Sequence, residues 1–65
     1  MTVADIKVGQ VWVRKEPRDD PYDKIVIEHI QPHRWDPLIW GLNMVGRPIV
    51  VFLDELDERY TLVGP

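Results

Sequence analysis

His29 and His33 lie four residues apart, and Asp36 follows three residues later. On a helix, that four-residue spacing puts two imidazoles on one face, as in metal sites. Pro32 stands between the two histidines, and the apolar run before it reads as a strand, so the helical geometry is disfavoured. A site of His29, His33 and Asp36 would have to form across a strand–loop junction. The plainer expectation is one partly buried histidine, one in a loop, and no metal. Acidic pairs occur at Asp19–Asp20, Asp54–Glu55 and Asp57–Glu58. Acid–base catalysis needs two carboxyls in different environments within a cleft. Adjacent acids in the turns of so small a domain are expected to be solvated caps, with Asp54 placed to cap a helical turn. Neither acidic run has the glycine and oxygen-ligand spacing of a calcium loop. Nucleophilic catalysis lacks its parts, because the chain has no Ser and no Cys, and its threonines are Thr2 and Thr61. No catalytic residue, no cofactor and no metal ligand is therefore assigned, and the chain is not expected to be an enzyme.

The aromatic residues are more suggestive. Three tryptophans occur in 65 residues. Trp40 shares a strand face with Leu38 and Leu42 and is expected in the core. Trp12 lies opposite Val11 and Val13. Trp35 stands in a loop beside Arg34, and an exposed Trp next to an Arg is the composition of an interface anchor. Trp35 either meets a partner or folds over the open end of the domain as a lid. If Ile25, Ile27, Ile49, Val51 and Leu53 point inward, then Val26, Val50 and Phe52 point outward. A contiguous outward patch marks a partner surface or a homodimer. The alternative is that bulges and curvature turn these residues into a second side of the core. The candidate partner-binding residues are Trp12, Arg34, Trp35, Val50 and Phe52. Arg14, Lys15 and Arg18 cluster near the first loop, but Glu16, Asp19 and Asp20 are interleaved with them, and the net charge is -3. Nucleic acid is disfavoured as a partner on that balance and stands as the alternative.

The elements that must position these residues are short apolar runs separated by Pro, Gly or Asp. The runs are Gly9 to Lys15, Lys24 to Ile30, Leu38 to Val45, Pro48 to Leu53 and Tyr60 to Val63. That is the pattern of a small all-β barrel or sandwich. Thr2 to Ile6 reads as a single helical turn or a loose lead-in, with Thr2 as its cap. Glu16 to Asp23 holds two prolines and four acids, which predicts an exposed and mobile loop. The second run is apolar on both faces, which predicts a bulge near Glu28–His29 or cover on both sides. Gly46–Arg47–Pro48 predicts a hairpin. Asp54 to Glu58 predicts one helical turn with Leu56 inward.

The opening Ile6 to Trp12, the central Ile-Val-Ile strand, and Leu53–Asp54–Glu55–Leu56 followed by Tyr60 to Val63 together resemble the small SH3-like barrels encoded in phage and actinobacterial genomes. The resemblance implies a five-stranded antiparallel barrel with one short helical turn before the last strand. It implies no catalytic residues, and such barrels bind proteins, peptides or nucleic acids. With 65 residues, one domain is expected, and its stability is marginal on area alone. No cysteine is present to staple it, which suits a reducing compartment. No apolar stretch approaches the roughly 20 residues that span a bilayer. The first residues carry neither region of a signal peptide. The expectation is a cytoplasmic, phage-type or accessory module that binds a protein partner or itself, without membrane contact.

Overall fold

The computed structural model describes residues 6–64. The lead-in turn expected at Thr2 to Ile6 lies almost wholly outside them. The chain forms strands β1 (Val11–Arg14), β2 (Lys24–Gln31), β3 (Leu38–Leu42), β4 (Pro48–Phe52) and β5 (Tyr60–Gly64). A 3₁₀ turn, Pro21–Asp23, precedes β2, and one helix, α1 (Leu53–Arg59), lies between β4 and β5. The strands form one antiparallel sheet in the order β4-β3-β2-β1-β5. The predominantly β architecture and the helix before the last strand match the sequence expectation. The sheet is open, because β4 and β5 are its two edges, and α1 packs against both.

The core lies on one face of this sheet. Trp12, Ile25, Ile27, Ile39 and Leu56 are its largest fully buried side chains. Ile6, Val51, Leu53 and Tyr60 complete it, with Ile30 and Ile49 packed at its border. In β2 the pairing register shifts between Ile27 and His29, at the position expected for a bulge. The extra residue resets the alternation, so that Ile25, Ile27 and then Ile30 face the core while His29 and Gln31 are exposed.

The Val8–Gly9–Gln10 entry has a specific cause. Gly9 has φ 94°, a left-handed conformation that glycine adopts without a Cβ penalty. Its N–H donates to the Ile27 carbonyl at 2.8 Å. Gln10 then turns its side chain inward. Its Oε1 accepts from the Lys7 N–H at 3.0 Å and from the indole Nε1 of Trp12 at 3.3 Å. A buried amide thus satisfies the one polar atom of the buried tryptophan, as burial requires.

The loop from Lys15 to Asp23 is exposed, as expected, but it is tied down rather than loose. Asp23 accepts from the backbone N–H groups of Arg18 and Asp19, at 3.0 and 2.9 Å. Arg14 pairs with Asp20 at 3.1 Å and Asp23 at 3.0 Å, and its guanidinium lies 5.9 Å from the Tyr60 ring centre. The Tyr60 hydroxyl donates to the Tyr22 carbonyl at 2.8 Å. Carboxylates that hold backbone donors replace the strand contacts the loop lacks.

Asp20 gives this loop a pH signature. Partial desolvation pushes its carboxyl up, but the Tyr22 N–H and the Arg14 guanidinium outweigh it, and the net shift is downward. A lowered folded-state value stabilises the protein above the unfolded value, and that contribution disappears as pH falls through the folded one. Asp20→Asn therefore lowers the thermal midpoint near neutrality. The gap to the parent protein is expected to close below about pH 4, where aspartates protonate. Melting curves between neutrality and strong acid check this. A gap that stays constant throughout would mean that the charge of Asp20 contributes nothing.

Candidate partner-binding surface

The outward face of the sheet carries an apolar strip. Across β3 and β4, Trp40 pairs with Val50, Leu38 with Phe52, and Leu42 with Pro48. Residues paired across strands point to the same side, so Leu38, Trp40, Val50 and Phe52 form one surface. Trp40, Val50 and Phe52 are 39%, 44% and 45% exposed. β4 is an edge strand with no charged residue from Pro48 to Phe52. Sheet edges of that kind are normally protected by charges, prolines, bulges or a covering helix, and here Pro48 and the packing of α1 do so.

Two contacts fix the aromatic groups. The indole Nε1 of Trp40 donates to Gln31 Oε1 at 3.0 Å, on the neighbouring strand. The ring of His33 meets Phe52 edge-on, with centroids 6.1 Å apart. His33 Nδ1 also accepts from the Trp35 backbone N–H at 3.3 Å. The loop that carries Trp35 is fastened to the start of α1. The Leu53 N–H donates to the Pro37 carbonyl at 2.9 Å, and the Asp54 N–H donates to Asp36 Oδ2 at 3.1 Å. Trp35 is 81% exposed, with the Arg34 guanidinium 5.2 Å from its ring centre. Trp35 and Phe52 line a shallow groove whose other wall is α1.

No family model matches the chain, and neither a curated protein nor a solved structure matches it.

The five candidates separate clearly. Arg34, Trp35, Val50 and Phe52 are all exposed. Trp12 is only 2% exposed and cannot touch a partner. Its face, opposite Val11 and Val13, is the inner one, because β1 lies between β2 and β5 with its tryptophan over the core. Trp40 corrects in the other direction. Ile39 and Gly41 face inward on β3, so Trp40 belongs to the outer strip. Trp35 is no lid, since its ring covers nothing in the core. Strand β3 also ends at Leu42, not Val45. Asn43 is buried, and its Oδ1 accepts from the Val45 and Arg47 N–H groups at 3.0 Å each, which shapes the hairpin turn.

Two of the polar candidates have structural roles. His29 lies exposed on β2, His33 supports Phe52 and Trp35, and Asp36 caps α1. No group of three metal-ligating side chains comes together among the described residues. Asp54 is inside the helix rather than at its cap; the cap position is Phe52, which offers no side-chain acceptor. Asp36 supplies the acceptor from eighteen residues away, a contact that no local pattern announces. At the other end, the Lys15 N–H donates to the Arg59 carbonyl at 2.8 Å and Lys15 Nζ to the Asp57 carbonyl at 3.3 Å. Among the described residues, no helix is long and apolar enough to cross a membrane.

Proposed function

We propose that this chain is a small SH3-like barrel that works as a non-catalytic binding module, docking on a protein through the outer face of β3 and β4. The barrel reading is supported by the strand order, by the long bulged β2 running through the middle of the sheet, and by α1 bridging the two edge strands. One observation carries the binding reading: Trp40 on β3 and Val50 and Phe52 on the edge strand β4 form an exposed apolar row, continuous with Trp35. Aromatic residues held in place by neighbours lose little entropy on binding, which is why they dominate interface energies. The phage-type or accessory role follows from the resemblance of the opening and closing motifs. Nucleic acid fits this surface less well, because Arg14 is committed to Asp20 and Asp23, the groove beside Trp35 is walled mainly by carboxylates, and the cluster of Lys15, Arg18 and Arg59 is interleaved with Glu16, Glu55 and Glu58.

The double substitution Val50→Asp and Phe52→Ser tests this reading. Both positions are solvent-exposed, so circular dichroism is expected to show a folded protein. A specific protein captured by the parent chain from its host lysate is expected to be lost. Light scattering on both proteins reads self-association, and a dimer that the same substitutions dissociate identifies a second copy as the occupant. A captured set and a molecular mass that both survive the substitutions would overturn the reading.

A further inference from the structure

We infer that the groove between Trp35, Phe52 and α1 receives a positively charged segment of a partner protein, one that presents Arg or Lys beside a bulky apolar side chain. This rests on the partner-binding reading and names the chemistry of the occupant. Phe52 belongs to both the outer strip and the groove, so an apolar side chain on the strip places its neighbours against α1. The helix lines the groove with Asp54, Glu55 and Glu58 against the single cation of Arg59. Ion pairs among the described residues are those of Arg14 with Asp20 and Asp23, so none of these helix carboxylates has an ion-pair partner. The aromatic rim also suits a cation. An indole face attracts guanidinium and ammonium groups, and Arg34 already sits 5.2 Å from the Trp35 ring centre. Aromatic surface and unpaired carboxylates together recognise a cation attached to an apolar stem, as Arg and Lys provide.

A second copy of this chain fits the groove poorly. The net charge is -3, so two copies repel. In the chain's own basic stretch, the Arg14 guanidinium is held by Asp20 and Asp23, the Arg18 backbone N–H by Asp23, and the Lys15 ammonium donates to the Asp57 carbonyl. Nucleic acid is repelled by the same carboxylates that attract a basic segment.

The test uses isotope-labelled protein and three short glycine-based peptides. The first carries two Arg and one Leu, the second has Glu in place of Arg, and the third has Gly in place of Leu. Titration with the first peptide is expected to shift the Trp35 indole signal and the amides of Asp54, Glu55 and Glu58. The indole of Trp12, buried in the core, is the internal control and is expected to stay fixed. The Glu peptide is expected not to bind, and the peptide without Leu to bind more weakly. Glu55→Lys with Glu58→Lys is expected to weaken the first peptide about tenfold and to admit the Glu peptide. Glu58 is exposed and Glu55 half-buried, and an unchanged melting curve verifies the fold. Absence of shifts with the first peptide, or equal binding of the Arg and Glu peptides, overturns the inference. So does a single-stranded oligonucleotide that shifts the same signals. If the Arg peptide fails while Val50→Asp with Phe52→Ser still abolishes capture, the sheet face is the site and only the cation chemistry is wrong. If both fail, the partner-binding reading falls as well.

Discussion

Replacing Trp12 with Ala is expected to abolish the cooperative fold at physiological temperature. Trp12 is 2% exposed and sits among Ile25, Ile27, Leu56 and Tyr60 in the only sizeable core of the described residues. Truncating a buried tryptophan costs about 3–5 kcal/mol, from lost apolar burial and the cavity left behind. A 65-residue domain has a total stability of only roughly 3–10 kcal/mol. There is no disulfide among the described residues to offset the loss. The substitution also leaves Gln10 Oε1 with the Lys7 N–H but without the indole donor. Trp12→Phe keeps most of the ring area and is expected to cost about 1–2 kcal/mol, from the smaller ring and the lost hydrogen bond. In a domain of this size each kcal/mol moves the thermal midpoint by about 4–8 °C. Melts followed by circular dichroism should therefore rank parent, Trp12→Phe and Trp12→Ala in that order. A Trp12→Ala protein melting within a few degrees of the parent would place the tryptophan outside the core.

Gly41→Ala is expected to be nearly as damaging, although it adds a single methyl group. A Cβ on Gly41 would lie 2.5 Å from the Val26 carbonyl oxygen and 2.7 Å from Ile25 Cγ2. The first is backbone of the adjacent strand, and the second belongs to a side chain with no exposed surface. Neither can yield without spreading β2 from β3. Overpacking of this kind costs about 1–3 kcal/mol, and here the upper end applies because backbone must move. The expected fall in thermal midpoint is roughly 10–20 °C. Gly41→Val is expected to yield insoluble or unfolded protein. Glycine is required at this position for close approach, not for φ. A Gly41→Ala protein as stable as the parent would show that the two strands separate freely there.

Both effects arise from residues whose roles local pattern describes only in part. The apolar runs at Lys24 to Ile30 and Pro48 to Leu53 become β2, β4 and the start of α1; of the two faces the alternation leaves open, the buried one carries Ile25, Ile27, Val51 and Leu53, with Ile49 at the border. These runs are legible because a strand must bury one face, and alternation names the two faces. Where both faces are apolar, alternation cannot choose between them. In Leu38 to Leu42 the larger set, with Trp40, lies outside, and the inner set is Ile39 with Gly41. Size alone pointed the other way. The choice follows from packing, since only glycine fits against Ile25 and the Val26 backbone. Trp12 reverses for a related reason. Its neighbours Val11 and Val13 are smaller, and the inner face of β1 must fill the centre of the core.

The candidate surface divides in the same way. Val50, Phe52, Arg34 and Trp35 are exposed positions that aromatic excess and strand phase could mark. The acidic wall of the groove could not be marked, because it depends on where α1 lies against the loop holding Trp35. That placement is made by Asp36 and Pro37, which reach across the chain to the first N–H groups of the helix.

By itself, the sequence determined the number of strands and their succession along the chain, the short helix before the last one, the hairpin after β3 and the lack of a serine or cysteine nucleophile, and it offered the bulge in β2 as one of two alternatives. These depend on spacing, turn residues and inventory, which are local or compositional. Only the tertiary structure decided that Trp12 is core while Trp40 is surface, that the Asp-rich loop is fastened, and that Trp35 and Phe52 share a groove with helix carboxylates. Each of these turns on which residues distant in the chain occupy the same space. Close packing and hydrogen-bond satisfaction settle that question, and neither is a property of any one segment.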